Sequence, residues 1–313
     1  MSKQNTDTIM MVKPVQFRFN EQTAVNNYYQ QAIEGLSADQ IQEKAQIEFD
    51  TFVKKLRDKG VNVIVVEDTV EPNTPDSIFP NNWVSFHDDG RVGLYPMCAP
   101  NRRAERRMDI FDFFKEQHGL EVTNFEDFTQ YENEERFLEG TGSMILDRLH
   151  KVAYAALSVR TDREIFEEFC QKFGYQPVSF VANQTVSGER LPIYHTNVMM
   201  CVADEFAIVC LDSIDDINER LELIHSLEET DIEIIEISEV QVNQFAGNML
   251  QVKSVDGIKY LVMSSSAYNS LDSDQISTIE NYCPIIHSSL DTIEALGGGS
   301  ARCMMAEVFL PKK

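Results

Sequence analysis

Basic residues are scarce in this sequence: 27 Lys and Arg stand against 51 Asp and Glu, a formal charge of −24 with a pI near 4.5. A polyphosphate backbone needs a basic stripe, and the one basic cluster, Arg102, Arg103, Arg106 and Arg107, sits among acidic segments. This argues against a nucleic-acid partner. Long apolar runs are lacking as well. None approaches the roughly 18 residues of a membrane span, and the stretch MSKQNTDTIMMVKP holds no signal-peptide core. A cytoplasmic protein without a membrane partner is expected. Closely spaced cysteine pairs are also missing. Cys98, Cys170, Cys201, Cys210, Cys283 and Cys303 are scattered without a CxxC, so neither a zinc knuckle nor a disulfide framework is signalled. Reduced thiols are expected, one of them a candidate for reactivity. With 43% hydrophobic and 25% charged residues, the 313-residue chain can bury a substantial core and is long enough for one large domain or two small ones; a single domain over 1–313 is the expectation.

What is present is a repeat. Four segments, 83–95, 143–157, 197–211 and 249–263, each read as two short apolar runs around a polar turn, the pattern of a β-hairpin. After each comes a segment of helical spacing and then another apolar run: 103–118 then 120–123, 162–173 then 177–181, 215–227 then 232–237, and 273–282 then 284–287. Gly119 and Gly174 are the expected C-caps. The hairpins start at 83, 143, 197 and 249, and a last strand at 303–310 continues the spacing of 60, 54, 52 and 54 residues. That strand has no hairpin partner of its own. A strand at 10–15, a helix at 38–59 and a strand at 61–66 would complete a fifth unit with it. The expectation is an α/β fold of five ββαβ modules around an axis, closed by pairing the N- and C-terminal strands. The alternative is an open α/β sheet with coincidental spacing.

Polar residues gather at the hairpin starts: Phe79-Pro80-Asn81-Asn82, Leu138-Glu139-Gly140-Thr141-Gly142, Tyr194-His195-Thr196-Asn197, Phe245-Ala246-Gly247-Asn248 and Gly297 through Cys303. Five equivalent strand ends would converge on one cavity. There a Cys, a His and a carboxylate supply a nucleophile, a general acid/base and an orienting group. Standing alone, a buried Cys or His is usually inert packing. Five coincident strand ends make the functional reading the stronger one.

The segments LEGTGS, YHTN and GGGSARCMMAEVF resemble the signatures of the guanidino-group-modifying enzymes, the superfamily of arginine deiminases, dimethylarginine hydrolases and amidinotransferases. The resemblance runs from Pro14 to Pro311 and is strongest to the citrulline-utilisation hydrolase branch, through PDSIFPNNW, FAGNML and GGGSARCM. It implies a five-bladed α/β propeller (pentein) and a hydrolase with no metal or organic cofactor. It also implies Cys303 as nucleophile, His195 as proton donor and acceptor, and Glu139 as the carboxylate of the triad. A thiol of pKa about 8.5 is mostly protonated at neutral pH, so a neighbouring imidazolium or a substrate cation is expected to favour the thiolate. Asp76 matches the carboxylate that grips guanidino nitrogens, with a turn aspartate as the alternative. Arg160 and Arg103 match arginines that pair with a substrate α-carboxylate, which a fork-shaped guanidinium suits.

Two departures bear on the substrate. Arginine deiminases place aspartates at the positions of Asn82 and Asn197. An amide both donates and accepts without full charge, which suits a neutral ureido group better than a guanidinium and makes citrulline the leading substrate. Phe79 and Asn248 complete the expected binding set, Asn248 with a structural turn as an equal alternative. Arginine deimination, dimethylarginine hydrolysis, amidino transfer and a non-catalytic arginine- or citrulline-binding protein stay open. The acidic run 126–135 reads as solvated loop or helix start, or part of a lid near Glu139. The expected partner is a small guanidino or ureido amino acid, and the sequence does not specify an oligomeric state.

Overall fold

The computed structural model describes residues 3–33 and 35–313. Met1, Ser2 and Glu34 fall outside it, so the first two positions of the N-terminal stretch read above lie outside the described residues. Five sheets of three strands share one plan. In four of them an antiparallel hairpin is followed by a helix and then by a third strand, parallel to the hairpin's second strand. Their members are Val84–Phe86, Arg91–Leu94 and Asn124–Asp127; Ile145–Asp147, Val152–Ala156 and Gln176–Phe180; Met200–Val202, Phe206–Val209 and Glu233–Glu236; and Leu250–Lys253, Lys259–Ser264 and Ile285–Ser288. In the fifth, Ala306–Glu307 runs antiparallel to Thr8–Lys13, with Ile9 opposite Glu307, and Thr8–Lys13 pairs in parallel with Asn62–Glu67. The two ends of the chain therefore share a sheet, and the separate sheets rule out one open sheet. First strands meet across sheets: Val84–Phe86 against Ala306–Glu307, and Met200–Val202 against both Ile145–Asp147 and Leu250–Lys253. A further hairpin, Asn183–Val186 with Glu189–Pro192, stands outside the plan.

The helices follow their local chemistry. Asp162, Asp216 and Asp272 accept the first free N–H groups of Arg163–Phe173, Ile217–Glu228 and Ser273–Tyr282. Gly119 and Gly174 end their helices in the left-handed conformation. The longer helices bury an apolar stripe, as Arg163–Phe173 does with Ile165, Phe166, Phe169, Cys170 and Phe173 and Ala38–Asp58 does with Ala45, Phe49, Phe52, Val53 and Leu56. Burying a side chain of this kind stabilises by about 1.5–3 kcal/mol. No helix among the described residues is long and apolar enough to cross a membrane.

Three expected boundaries move. The helix expected from 103 begins at Asp109, after a 3-10 turn at Pro100–Glu105, because Arg102 and Arg103 turn inward to bond Glu105 and the Met97 carbonyl. The strand expected at 120–123 forms instead at Asn124–Asp127. Leu120 bridges to Lys312, and the Glu121 N–H donates to the Pro311 carbonyl, so that apolar run ties down the C-terminal tail. The last strand is only Ala306–Glu307, which leaves Cys303 in the turn that precedes it.

Candidate active site

The leads into the hairpins are short helical turns: Pro80–Asn82, Gly140–Ser143 and Thr196–Val198. They pack on one another, which brings distant residues to one place. Asp76, Phe79, Asn82, Arg160, His195 and Cys303 line a single cavity, together with Arg102, Tyr194, Thr23 and Asn27. Close approach is enforced at Gly142. A Cβ there would lie 2.3 Å from Asn82 Nδ2 and 2.8 Å from His195 Nδ1, so only glycine lets both side chains sit over the turn.

Glu139 is fully buried, and its Oε2 lies 2.7 Å from His195 Nε2. Its Oε1 accepts the Cys98 N–H at 2.9 Å, and Arg160 Nη1 donates to Oε2 at 3.4 Å. Burial pushes the Glu139 carboxyl up, but Arg160, the His195 hydrogen bond and Arg102 outweigh it and hold the group well below the usual carboxylate range. Burial lowers the His195 imidazole to about 4 against the pull of Glu139. At neutral pH the pair is thus carboxylate and neutral imidazole. The Nε2 proton bridges them, and Nδ1 is left as the free base.

Cys303 is 3% exposed, and its Sγ accepts from two side-chain amides, Asn197 Nδ2 and Asn248 Nδ2, each at 3.3 Å. This use of Asn197 and Asn248 is not legible in the sequence, which points Asn197 at the substrate and leaves Asn248 between the binding set and a structural turn. Asn248 is fully engaged: Nδ2 also donates to the Asn197 carbonyl at 2.9 Å, and Oδ1 accepts the Arg302 N–H at 3.0 Å. Asn197 keeps Oδ1 buried and without a partner.

Asn82 Oδ1 accepts from Arg102 at 2.8 Å, and Asn82 Nδ2 is buried and unpartnered. Asp76 Oδ2 accepts from Asn20 and Thr23 at 2.8 and 3.2 Å, while Oδ1 has no partner. Burial raises the Asp76 carboxyl, opposed by Arg102, Asn20 and Thr23. The orphan donor of Asn82 and the orphan acceptor of Asp76, both in the cavity lining, are what a buried polar ligand would satisfy. Phe79 lays its ring on the glycine-rich loop that leads to Cys303, where a Cβ at Gly297 would meet it at 2.7 Å.

The expected carboxylate-binding arginines are both occupied. Arg160 binds Asn26 Oδ1 and the Thr23 carbonyl as well as Glu139, and its guanidinium lies 4.9 Å from the Tyr194 ring centre. Arg103 donates to the Met97 carbonyl and lies outside the cavity lining. The neighbouring Arg102 is the residue that sequence reasoning missed. It forms a two-point bond with Glu105 at 2.9 Å and holds Asn82. Its signal was the i, i+3 Arg-Glu spacing, common on exposed helices and therefore uninformative. Burial raises Glu105 to about 7 even with Arg102 beside it.

The cavity is narrow, with about 10 Å³ free, room for a single water. Its cover is the N-terminal segment 20–31, not the acidic run 126–135. Asn20 and Thr23 bond Asp76, Asn27 donates to the Gly297 and Gly298 carbonyls, and Gln30 donates to the Leu296 carbonyl. Glu132, from the acidic run, instead braces Arg106 and the Met97 N–H.

A thiol, an imidazole–carboxylate pair and unpaired polar groups gathered around one cavity are the parts from which a nucleophile, a general acid/base and hydrogen bonds to a polar ligand can be supplied. The family profile of eukaryotic N,N dimethylarginine dimethylhydrolases matches residues 13–310, and the chain belongs to that family of hydrolases, within the guanidino-group-modifying superfamily. No curated protein matches the sequence.

Solved structures share the fold. Apo ArgZ, an arginine dihydrolase from the ornithine–ammonia cycle in cyanobacteria, aligns with a TM-score of 0.73 and 17% identity over 98% of this chain and 41% of that one. Its N-terminal domain bound to product aligns at 0.71 and 18%, over 97% of this chain and 99% of that domain. A dimethylarginine dimethylaminohydrolase adduct with S-methyl-L-thiocitrulline aligns at 0.63 and 14%, over 98% and 100%. The chain thus spans about two-fifths of full-length ArgZ, and at these identities the likeness is one of fold.

Proposed function

We propose that this protein is a cofactor-free cysteine hydrolase of the ureido group, with citrulline as substrate, built as one domain that forms a closed five-bladed propeller. The observation that carries the substrate reading is the unpaired Nδ2 of Asn82. A guanidinium presents only N–H donors and would leave that amide unsatisfied. A ureido carbonyl accepts from it, while a ureido N–H group donates to Asp76 Oδ1. Opening of the segment 20–31 admits the substrate and frees Arg160 from Asn26 for its α-carboxylate. The closing of the propeller is supported by the shared terminal sheet and by the first strands meeting across sheets.

In the reaction the Cys303 thiolate attacks the ureido carbon, and the C=O electron pair moves onto an oxygen held by Asn82 Nδ2. His195, protonated in the thiol-to-imidazole transfer, gives its proton to the departing nitrogen as the C–N bond breaks. A water, deprotonated by His195, then cleaves the S–C bond of the carbamoylated cysteine. Whichever C–N bond breaks first, citrulline and water yield ornithine, carbon dioxide and ammonia. A second reading, hydrolysis of a methylated arginine, is favoured by the family match and by the carboxyl of Asp76.

Incubation with citrulline, arginine and methylated arginines, followed by mass spectrometry, tests the reading. Ornithine from citrulline, lost in Cys303→Ala, is the expected result. Turnover of arginine or a methylated arginine alone would replace it with the second reading.

A further inference from the structure

The charge on the attacking sulfur needs a source of stabilisation, and the usual ones are taken. His195 is held neutral by burial. Arg160 is spent on Glu139 and Asn26, and Arg102 on Glu105 and Asn82. A ureido substrate brings no positive charge. What touches Sγ is a pair of neutral amides.

Resting on the reading of Cys303 as nucleophile, we propose that Asn248 is a catalytic residue whose Nδ2–H group holds the Cys303 thiolate, with Asn197 as the second donor. Its amide has one orientation. Flipping it would turn Oδ1 onto both Sγ and the Asn197 carbonyl and would set Nδ2 against the Arg302 N–H. Asn197 leaves its Oδ1 without a partner, whereas the side chain of Asn248 makes no bond except to Sγ and to the two backbone groups that aim it.

The turn that carries Asn248 is built for this placement. Phe245 adopts φ +63, a left-handed conformation that is costly for an aromatic residue and kept where surrounding structure requires it. Gly247 lies so close to the segment just after Asn197 that a Cβ would sit 2.3 Å from the Val198 carbonyl oxygen. The Phe245-to-Asn248 turn is thereby pressed onto the segment that carries Asn197, and the Arg302 N–H locks it to the nucleophile turn. Asn248 thus joins two leads at the sulfur, and its donor arrives already oriented.

The test reads the sulfur directly and needs no substrate. The rate of Cys303 alkylation by iodoacetamide is followed from pH 5 to 10 by mass spectrometry of the Cys303 peptide in parent, Asn248→Ala and Asn248→Asp. The inflection is expected to rise by about one pH unit in Asn248→Ala, a tenfold loss of thiolate at neutral pH, and further in Asn248→Asp, where a carboxylate replaces the donor. Near-UV circular dichroism establishes that each variant is folded, and Asn248→Ser, which keeps a donor, stands in for any that is not and is expected to shift less. An unmoved inflection in a folded Asn248→Ala or Asn248→Asp overturns the proposal. Turnover that persists in Cys303→Ala overturns the reading of the nucleophile instead, so the two failures are distinguishable.

Discussion

On the proposed reading, a single atom of Asn82 decides between substrate classes. Arg102 fixes its Oδ1, which leaves Nδ2 as the unpaired group in the cavity. Asn82→Asp would keep the Arg102 bond and exchange the donor for an acceptor of negative charge. The variant should lose about 10²-fold in kcat/KM for citrulline, the usual cost of removing one donor to a developing oxyanion, and should bind arginine more tightly. Steady-state kinetics on both substrates check this. An equal change for the two would mean that Asn82 does not discriminate. The residue types at 82, 139, 195, 197 and 303 were legible because each sits at a strand lead of a repeating unit. Arg102 was not, since a basic residue in a basic cluster looks like surface until its Glu105 partner is seen buried with it.

Short turns rather than long helices place the reacting groups. Gly140–Ser143 carries no catalytic side chain, yet Gly142 is where Asn82 and His195 crowd together. Gly142→Ala should lower turnover by more than 10²-fold, because displacing a reacting group by about an ångström costs that much. Overpacking should also lower stability by about 1–3 kcal/mol. Kinetics and thermal unfolding of the same preparation separate the effects, and full activity would mean that the turn yields without moving His195. The covering segment 20–31 was missed in the sequence for a physical reason. It has no apolar periodicity and is held by side-chain bonds such as Asn20 to Asp76 and Asn27 to Gly297, between residues 56 and 270 apart in sequence.

For the whole molecule, the buried ionisable groups set how stability depends on pH. His195 titrates at about 4 when folded against 6.5 ordinarily, so the unfolded chain binds the proton more readily. Its contribution is complete above about pH 6.5 and is lost as pH falls towards 4, up to about 3 kcal/mol. Glu139, depressed when folded, acts in the same direction below the ordinary carboxylate range. Glu105, raised to about 7, acts oppositely and costs stability as pH rises from about 4.5 to 7. Comparing His195→Gln with the parent isolates the first effect. The parent should lose more stability than the variant between pH 6.5 and 4.5 in chemical denaturation, and parallel curves would contradict a buried neutral imidazole.

The sequence by itself determined the repeat. Hairpin turns and glycine C-caps are local signals, and their spacing pointed to four hairpin units and to a fifth shared by the two termini. It also determined which side chains stand at the strand leads, since that follows from position in the repeat. Only the tertiary structure decided what those side chains do. Asn197 and Asn248 turn an amide to the sulfur, Arg160 is tied to Asn26 and Glu139, and Arg102 rather than Arg103 enters the cavity. Rotamer, hydrogen-bond partner and burial arise from neighbours far away in the chain, and no local pattern encodes them.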